Sequence, residues 1–568
     1  RPAHQVWLPP LNEPPTINQL LPPLQVSEEF GLHAAWEGRG RLQVPVALVD
    51  RPYHQRRDPL WIDLSGAGGH VGVAGGPQSG KSTLLRTLIA SFALTHTPEE
   101  VQFYCLDFGG GTLPAMLGLP HVGGVATRLD QDGIRRTVGE MTALLAEREQ
   151  TFTENGIDSI ATYRRMRREG RIAPDRFAPD VFLVIDGWGT VRAEHEAVEA
   201  AVTELAARGL GFGIHVVASA IKWTEFRTAI KDLIQTRLEL KLGDPYDSDV
   251  DRKVAVNVPA NRPGRGLSSE KLHFLTALPR IDDVEDAEDL ADGVKNMIEA
   301  VNEAWKGSAA PPVRLLPARL DPALLPQPGA DTEVGIPIGI DEEVLEPVYL
   351  RTEEEPHFAI FGLNECGKSN LLTAIARGVV ARKTPKEAKI IIIDYRRSLI
   401  DAVSGEHLIG YAASSEAAAS LMKDTAAALR KRQPGPDVTP EQLKTRSWWT
   451  GSDLYLIVDD YELVATSSGN PLSPLTDLVS QAADIGLHII LARGFSGAGR
   501  AMYDPIIQRM RDIGNPALMM SGSKDEGALW SGYRGQPLVP GRGMLLSRRV
   551  GQRLVQTVYL GDPEEDAA

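Results

Sequence analysis

One sixteen-residue segment occurs twice in this chain. His70-Val-Gly-Val-Ala-Gly-Gly-Pro-Gln-Ser-Gly-Lys-Ser-Thr-Leu-Leu85 returns as His357-Phe-Ala-Ile-Phe-Gly-Leu-Asn-Glu-Cys-Gly-Lys-Ser-Asn-Leu-Leu372, 287 residues later. Other landmarks repeat in the same order: Val44 to Leu48 with Ile336 to Ile340, Gly213-Ile-His-Val-Val217 with Gly486-Leu-His-Ile-Ile490, and Pro263-Gly-Arg-Gly266 with Pro540-Gly-Arg-Gly543. Their offsets run from 273 to 292 residues, a drift that surface-loop insertions explain. A period this long in 568 residues means two whole domains, not a stack of short repeats. A proline-rich stretch over 307–335 reads as the linker between an expected domain 44–306 and an expected domain 336–568. Residues 1–43 are expected to form an extended arm, either docked on a neighbouring domain or free. The acidic run Asp282 to Asp292 is expected to open a helix reaching about Trp305.

The pattern within each half is strand, glycine-rich loop, helix, strand, helices, strand. Val71–Ala74, Val101–Leu106, Val181–Ile185 and His215–Ala218 are nearly continuous β-branched or apolar runs, as parallel strands covered on both faces require. The second half supplies Phe358–Phe361, Lys389–Ile393, Leu454–Val458 and His488–Leu491 in register. Ile134, Val138, Met141 and Leu145 follow helical spacing and suit a covering helix. The fold class is α/β: two tandem P-loop NTPase domains, mainly parallel sheets with helices on both faces.

The loops carry the chemistry. Gly75-Gly76-Pro77-Gln78-Ser79-Gly80-Lys81-Ser82, followed by Thr83, and Gly362-Leu363-Asn364-Glu365-Cys366-Gly367-Lys368-Ser369, followed by Asn370, both satisfy G-x-x-x-x-G-K-[ST] between a strand and a helix. Glycine lets the backbone turn successive N–H groups toward phosphate oxygens. Lys81 and Lys368 neutralise phosphate charge, and Ser82 and Ser369 are placed to hold Mg2+. ATP and Mg2+ are therefore the expected ligands. The carboxylates completing the Mg2+ site are expected at the ends of the runs Val181 to Asp186 and Leu454 to Asp459. A second acid, able to orient the attacking water, follows Asp459 as Asp460; Gly187 stands in that place in the first half. Aligning His215 with His488 sets Ser219, a candidate γ-phosphate sensor, opposite Ala492. Each half lacks a different catalytic part, and losing a positioned base costs about 10²–10⁴ in rate without weakening the phosphate cradle. Both sites are expected to bind ATP and hydrolyse it slowly. Arg265 and Arg542, in the repeated Pro-Gly-Arg-Gly turns, and Arg237 are the candidates for a finger reaching a neighbouring subunit. Asp107 and Asp394 either support the Mg2+ site from behind or cap turns, and Arg164, Arg165, Arg167 and Arg168 form either a solvated face or a contact to another domain or an acidic partner.

Several function classes are excluded. The net charge of −15 repels nucleic-acid backbones and anionic membranes. Two cysteines, Cys105 and Cys366, make no disulfide framework and point to a reducing cytosol. Arg1 in place of Met reads as a fragment of a longer polypeptide, with any membrane anchor on the missing part.

The set Gly75 to Thr83, Cys105-Leu-Asp-Phe-Gly-Gly-Gly111, His215-Val-Val-Ala-Ser219 and the late Gly-Arg-Gly resembles FtsK/SpoIIIE-type, RecA-like ATPases. Trp7-Leu-Pro-Pro-Leu11, Trp61-Ile-Asp-Leu-Ser-Gly-Ala-Gly-Gly69, Leu119-Pro-His-Val-Gly-Gly-Val-Ala126, Val184-Ile-Asp-Gly-Trp188, Pro259-Ala-Asn-Arg-Pro-Gly-Arg265, Arg446-Ser-Trp-Trp449 and Ala482-Ala-Asp-Ile-Gly-Leu-His488 narrow the resemblance to the EccC ATPases of type VII secretion systems, over nearly the whole chain. The resemblance implies the two C-terminal ATPase domains of such a protein, cytosolic and tied to the inner face of the membrane through a part absent here. It implies recruitment of small helical WXG100 substrates of the EsxB kind through a C-terminal signal on the last ATPase domain, contacts with other secretion subunits, and assembly into a ring, with a hexamer as one form. Nucleic acid is not an expected partner; Pro563-Glu-Glu-Asp-Ala-Ala568 is acidic where DNA-pumping relatives carry basic parts. An FtsK-like DNA translocase and a nucleotide-gated scaffold without its own transport cycle stay open as alternatives.

Overall fold

The computed structural model describes residues 8–36, 40–329 and 335–561. Trp7 and the acidic end Pro563 to Ala568 lie outside them. The chain divides into two compact units, Arg1–Leu315 and Leu316–Ala568.

Each unit is built on one mixed ten-stranded sheet, and the order of strands is the same in both. In the first unit the neighbours run Arg56–Asp63, Gln43–Arg51, His273–Thr276, Arg265–Leu267, Thr236–Leu240, Val71–Ala74, Ile214–Ala220, Asp180–Asp186, Val101–Asp107, Val122–Thr127. The last six are parallel, and the first four join them antiparallel. The second unit repeats this with Pro347–Leu350, Ile336–Asp341, Gly551–Thr557, Arg542–Ser547, Ala517–Met519, Phe358–Gly362, Leu487–Gly494, Asp453–Val458, Ala388–Ile393 and Leu408–Ala412. Doubly wound parallel strands are covered on both faces, and alternate side chains enter two different apolar layers. Phe103, Phe182 and Val184 pack with Leu84, Leu88 and Phe92 on one face. Tyr104, Leu183 and Ile185 pack on the other with Ile134, Val138, Met141 and Leu145 of the helix Gln131–Asn155. That helix opens on Asp130, which accepts the amide of Gly133, and closes on Gly156 at φ +61°.

The proline-rich segments are straps, not free linkers. Residues 307–315 lie on the first unit, where Tyr104 Oη donates to the Pro311 carbonyl at 2.7 Å and Arg136 Nε to that of Arg314 at 2.7 Å. From Leu316 onward the chain lies on the second unit, where Tyr559 N–H donates to the Leu320 carbonyl at 2.9 Å. The first unit has the same device: Leu278 N–H donates to the Pro15 carbonyl at 2.8 Å and Ile17 N–H to that of Leu278 at 3.0 Å. Proline has no N–H to give but its carbonyl accepts, so a strap of this composition pairs through one edge. Beyond the first strap the expected extended arm departs from extension, with a short helix Ile17–Leu20 and an antiparallel hairpin of Leu24–Ser27 with Gly31–Ala34. The acidic run opens a helix as expected, from Leu290 to Ala304, with Asp289 at its N-cap and Asp292 in its first turn. Asp282 and Asp289 also pair with the buried Arg280 guanidinium.

Candidate functional site

Both glycine-rich loops connect a central parallel strand, Val71–Ala74 or Phe358–Gly362, to a long helix, Lys81–Ala93 or Lys368–Arg382. Each helix is entered through a glycine in the left-handed region, Gly80 at φ +99° and Gly367 at φ +103°, which offers no side-chain cap. The first amides of both helices therefore point outward without an intrahelical acceptor, the arrangement that binds anions. Gln78 (φ 55°) and Glu365 (φ 57°) also sit in the left-handed region, a cost of about 1–2 kcal/mol each that the surrounding structure holds in place. The space around the loops is tight: a Cβ on Gly75 would meet Ser79 Oγ at 2.4 Å, and one on Gly362 would meet Cys366 Sγ at 2.3 Å.

The duplicated Pro-Gly-Arg-Gly turn buttresses the loop. Gly264 N–H donates to the Ser79 carbonyl at 2.8 Å, and Gly541 N–H does the same to Cys366 at 2.8 Å. Lys81 Nζ donates to the carbonyls of Gly75 and Gly76, both at 2.8 Å, and Lys368 Nζ to that of Leu363 at 2.9 Å. Burial lowers the Lys81 ammonium from its ordinary value, against the pull of Asp186 and Glu225. Ser79 Oγ is buried and without a hydrogen-bond partner among the described residues. A desolvated ammonium held by loop carbonyls, an orphaned hydroxyl and a row of uncapped amides fit a polyphosphate.

The serine after each lysine meets the strand-end aspartate. Ser82 Oγ donates to Asp186 Oδ2 at 2.5 Å, and Ser369 Oγ to Asp459 Oδ2 at 2.6 Å. A hydroxyl and a buried carboxylate side by side are the donor set that suits a hard divalent cation, and Mg2+ bound there would screen phosphate charge. The second oxygen differs between the units. Asp186 Oδ1 accepts from Ser219 Oγ, whose oxygen in turn accepts the Gly187 amide at 2.9 Å. Asp459 Oδ1 instead accepts the amide of Asp460 at 2.9 Å, and Ala492 is fully buried. Burial, with Asp460 beside it, pushes Asp459 up to about 6. Asp460 is raised as well, by burial and by Glu462, although Arg396 Nε pairs with it at 3.0 Å.

Sequence reasoning missed one pair of acids. Glu225 Oε2 accepts the amide of Ile221 at 3.0 Å, and Glu462 Oε2 that of Gly494 at 2.9 Å. Ile221 comes directly after the strand Ile214–Ala220 and Gly494 ends its counterpart Leu487–Gly494, while Ala220 and Arg493 face the equivalent Ala74 and Phe361 of the loop strands. The two carboxylates thus reach matching places from different segments, Glu462 from just after Asp459 and Glu225 from beyond the next strand. Only three-dimensional pairing exposes that equivalence.

The three candidate arginines are each engaged within their unit. Arg542 is buried, donates from Nε to Gln556 Oε1 at 3.1 Å and reaches the strap carbonyls of Leu316 and Pro317 at 3.3 and 3.4 Å. Arg265 donates to the strap carbonyl of Leu11. Arg237 lies across Trp223 and donates to the carbonyls of Ile234 and Lys231 at 3.1 and 3.0 Å. All three make these contacts within their own unit. Asp107 and Asp394 cap turns, accepting the amides of Leu113 at 3.0 Å and Leu399 at 2.6 Å. Arg164 pairs with the buried Asp180 through two bonds of 2.7 and 2.6 Å, and Arg167 with Asp175 at 3.0 Å, so these two lock their own unit, while Arg165 and Arg168 are exposed. Cys366 is buried against Met520 Sδ at 3.8 Å, and burial raises its thiol.

A cradle of this kind, repeated on two doubly wound sheets, places the molecule among the tandem P-loop ATPases. The chain belongs to the FtsK/SpoIIIE family, whose profile matches residues 32–283 and 325–447. The ESX secretion system protein EccC of Thermomonospora curvata is 61% identical over 557 residues, which are 98% of this chain and 42% of that protein. EccCb1 of the ESX-1 secretion system of Mycobacterium tuberculosis is 39% identical over 577 residues, 99% of this chain and 94% of that one. A solved structure of ATPases 2 and 3 of Thermomonospora curvata EccC in complex with a signal sequence peptide superposes with a TM-score of 0.90 at 60% identity, covering 98% of this chain and 100% of that one. The chain thus spans about two fifths of the longer EccC relative. No described helix is long and apolar enough to cross a membrane.

Proposed function

We propose that this chain is the region of ATPases 2 and 3 of an EccC-type secretion ATPase, working on the cytosolic side of the membrane and attached to it through a part of the protein or a partner beyond this chain. Both cradles bind Mg·ATP: Gly75 to Thr83 and Gly362 to Asn370 take the phosphates, and Ser82 with Asp186 and Ser369 with Asp459 hold Mg2+. The observation that carries the reading is the double occurrence of the serine–aspartate pair at the foot of an uncapped helix, 2.5 and 2.6 Å across.

Hydrolysis is slow in both sites, for different reasons. The first lacks an acid directly after Asp186, and the second lacks the hydroxyl that Ser219 supplies, so the sites serve assembly and regulation more than power. By its likeness to the peptide-bound relative, the second unit recruits small helical WXG100 substrates through their C-terminal signal. The chain assembles into a ring with its neighbours and couples nucleotide state to export. The tests are direct. Steady-state turnover by the isolated chain is expected below roughly 1 s⁻¹, at the bottom of the usual enzyme range; faster turnover contradicts the regulatory reading. Calorimetric titration of a substrate C-terminal peptide is expected to give heat that a substitution in the second unit abolishes. A salt-sensitive, length-dependent stimulation of ATPase activity by DNA, with no peptide response, would favour a DNA translocase instead.

A further inference from the structure

The first unit has no acid directly after Asp186, and we propose that Glu225, from a different segment, takes that part by orienting and deprotonating the attacking water. This rests on the reading that the Gly75–Ser82 loop holds the phosphates of ATP. The slow turnover of the first site then runs through Glu225.

Three successive residues at the tip of the strand Ile214–Ala220 fix where Glu225 stands. Ser219 Oγ donates to Asp186 Oδ1. The Ala220 carbonyl accepts the Gly75 amide at 3.1 Å, which ties the same tip to the first residue of the phosphate loop. The Ile221 amide donates to Glu225 Oε2 at 3.0 Å. On its other side the carboxylate lies against the segment after Asp186, where a Cβ on Gly189 would meet its Cδ and both its oxygens at 3.0 Å. Glu225 therefore sits where the strand tip, the loop and the turn after the Mg2+ aspartate come together.

The carboxylate is also free to act. Glu225 is partly buried, and among the described residues no Lys or Arg side chain pairs with it and Oε1 accepts no hydrogen bond. With one oxygen anchored and the other open, it is held in direction and keeps an acceptor for a proton of water. Burial lowers the Lys81 ammonium while Asp186 and Glu225 pull against it, so the carboxylate lies within electrostatic reach of the lysine that neutralises phosphate. In the step itself the water oxygen bonds to the γ-phosphorus as the bond from that phosphorus to the bridging oxygen breaks. ADP leaves with the electron pair of that bond, and the water proton passes to Glu225.

The second unit puts an acid in the same place by another route. Gly494 N–H donates to Glu462 Oε2 at 2.9 Å, and the next amide, that of Phe495, donates to the Gly362 carbonyl of the loop at 3.0 Å. The tip of the equivalent strand again joins a carboxylate to the phosphate loop. There Glu462 has a second acid beside it, Asp460, which Arg396 holds at 3.0 Å. In the first unit Gly187 brings no carboxylate, which leaves the part to Glu225.

The test uses the full chain with Lys368→Ala, so that the first site is read alone. Glu225→Gln keeps an acceptor for the Ile221 amide and removes the base. It is expected to slow single-turnover hydrolysis of ATP by about 100-fold, the low end for a positioned base. Binding gives a second readout. Mg·ADP with aluminium fluoride mimics the phosphoryl group in transfer with its water in line, and its affinity is expected to fall by about 10-fold, while Mg·AMP-PNP stays within about twofold. An unchanged rate, equal weakening of both ligands, or no hydrolysis at all by the site with Glu225 intact overturns the assignment. Should Glu225→Gln unfold the protein, Gly189→Ala decides: it crowds the carboxylate without removing its charge, and is expected to weaken the aluminium fluoride complex by about 3-fold or more relative to Mg·AMP-PNP, whereas no difference between the two ligands overturns the proposal. If the Lys368→Ala chain binds neither ligand, the phosphate-loop reading itself has failed, and this assignment with it.

Discussion

The same buried aspartate is tied down in two ways in the two units. Asp186 has two serine hydroxyls, from Ser82 and Ser219, whereas Asp459 has one hydroxyl and the amide of its own neighbour, Asp460. The substitution of Ala492 for Ser219 therefore does more than remove a sensor of phosphate. The residue after each aspartate is left-handed, Gly187 at φ +95° and Asp460 at φ 45°, but the Gly187 amide goes to Ser219 and the Asp460 amide to Asp459 itself. What looks in sequence like two separate losses, an acid in one half and a hydroxyl in the other, is in each unit one coupled choice about where a carboxylate finds its second donor.

The largest expected difference between the units appears in acid. His70 and His357 open the two repeated segments, and each bridges two backbone groups as a neutral ring. His70 Nδ1 accepts the Val216 amide at 2.9 Å while Nε2 donates to the Ala206 carbonyl at 2.8 Å. His357 Nδ1 accepts the Ile489 amide at 3.0 Å while Nε2 donates to the Val479 carbonyl at 3.1 Å. Burial lowers them to about 4 and about 3. Because the unfolded chain binds the proton first, the stabilisation is complete above the ordinary histidine value near pH 6.5 and is lost as pH falls, by about 1.4 kcal/mol per pH unit for each ring. The slope flattens once pH falls below each ring's lowered value, and in the first unit the buried His121, also lowered to about 4, adds its own loss, so the first unit is expected to lose more between pH 6.5 and 4. Hydrogen exchange in the strands Val71–Ala74 and Phe358–Gly362 reads the two separately; equal pH dependence with and without His70→Gln and His357→Gln contradicts the account.

Somewhat smaller effects sharpen the comparison of the loops. A Cβ on Gly80 would come to 2.7 Å from the Gly264 amide nitrogen, whereas one on Gly367 would lie 3.4 Å from that of Gly541. Both pay the left-handed penalty of about 1–2 kcal/mol, but only Gly80→Ala must also shift the buttressing turn. Gly80→Ala is expected to destabilise its unit by upwards of about 2 kcal/mol and to weaken nucleotide more than Gly367→Ala does, as denaturant melts and titrations would show. Ser219→Ala removes a donor from Asp186 and an acceptor from the Gly187 amide, and about 1–3 kcal/mol is expected. The least effect is expected of Asp460→Gly. It relieves the left-handed strain of about 1 kcal/mol and gives up a half-exposed pair with Arg396, so the second unit should change by under about 1 kcal/mol in the melt while its turnover falls.

The sequence carried the central strands and both loops because their signals are local. Val71–Ala74 matches its observed limits, and the other expected parallel strands match to within a few residues, since runs buried on both faces stay apolar throughout. The remaining strands, parallel and antiparallel alike, were far less legible. Arg56–Asp63 and Thr236–Leu240 mix charge with apolar residues, and Val122–Thr127 carries two glycines, so neither alternation nor a continuous run marks them. The loops and their aspartates could be named from spacing alone, but the arginines could not. A conserved-looking turn such as Pro-Gly-Arg-Gly announces that it matters twice without saying to what; the hydrogen bonds of Arg542 and Arg265 to the straps supply that. Glu225 and Glu462 escaped for the same reason, since residues from unrelated segments converge only in the folded unit.

The most direct test is calorimetric titration of the nucleotide-free chain with Mg·ATP. Two bound nucleotides per chain are expected, falling to one with either Lys81→Ala or Lys368→Ala and to none with both. Absence of heat at millimolar nucleotide, or a stoichiometry indifferent to the two lysines, would contradict the claim that this chain is one anion cradle built twice.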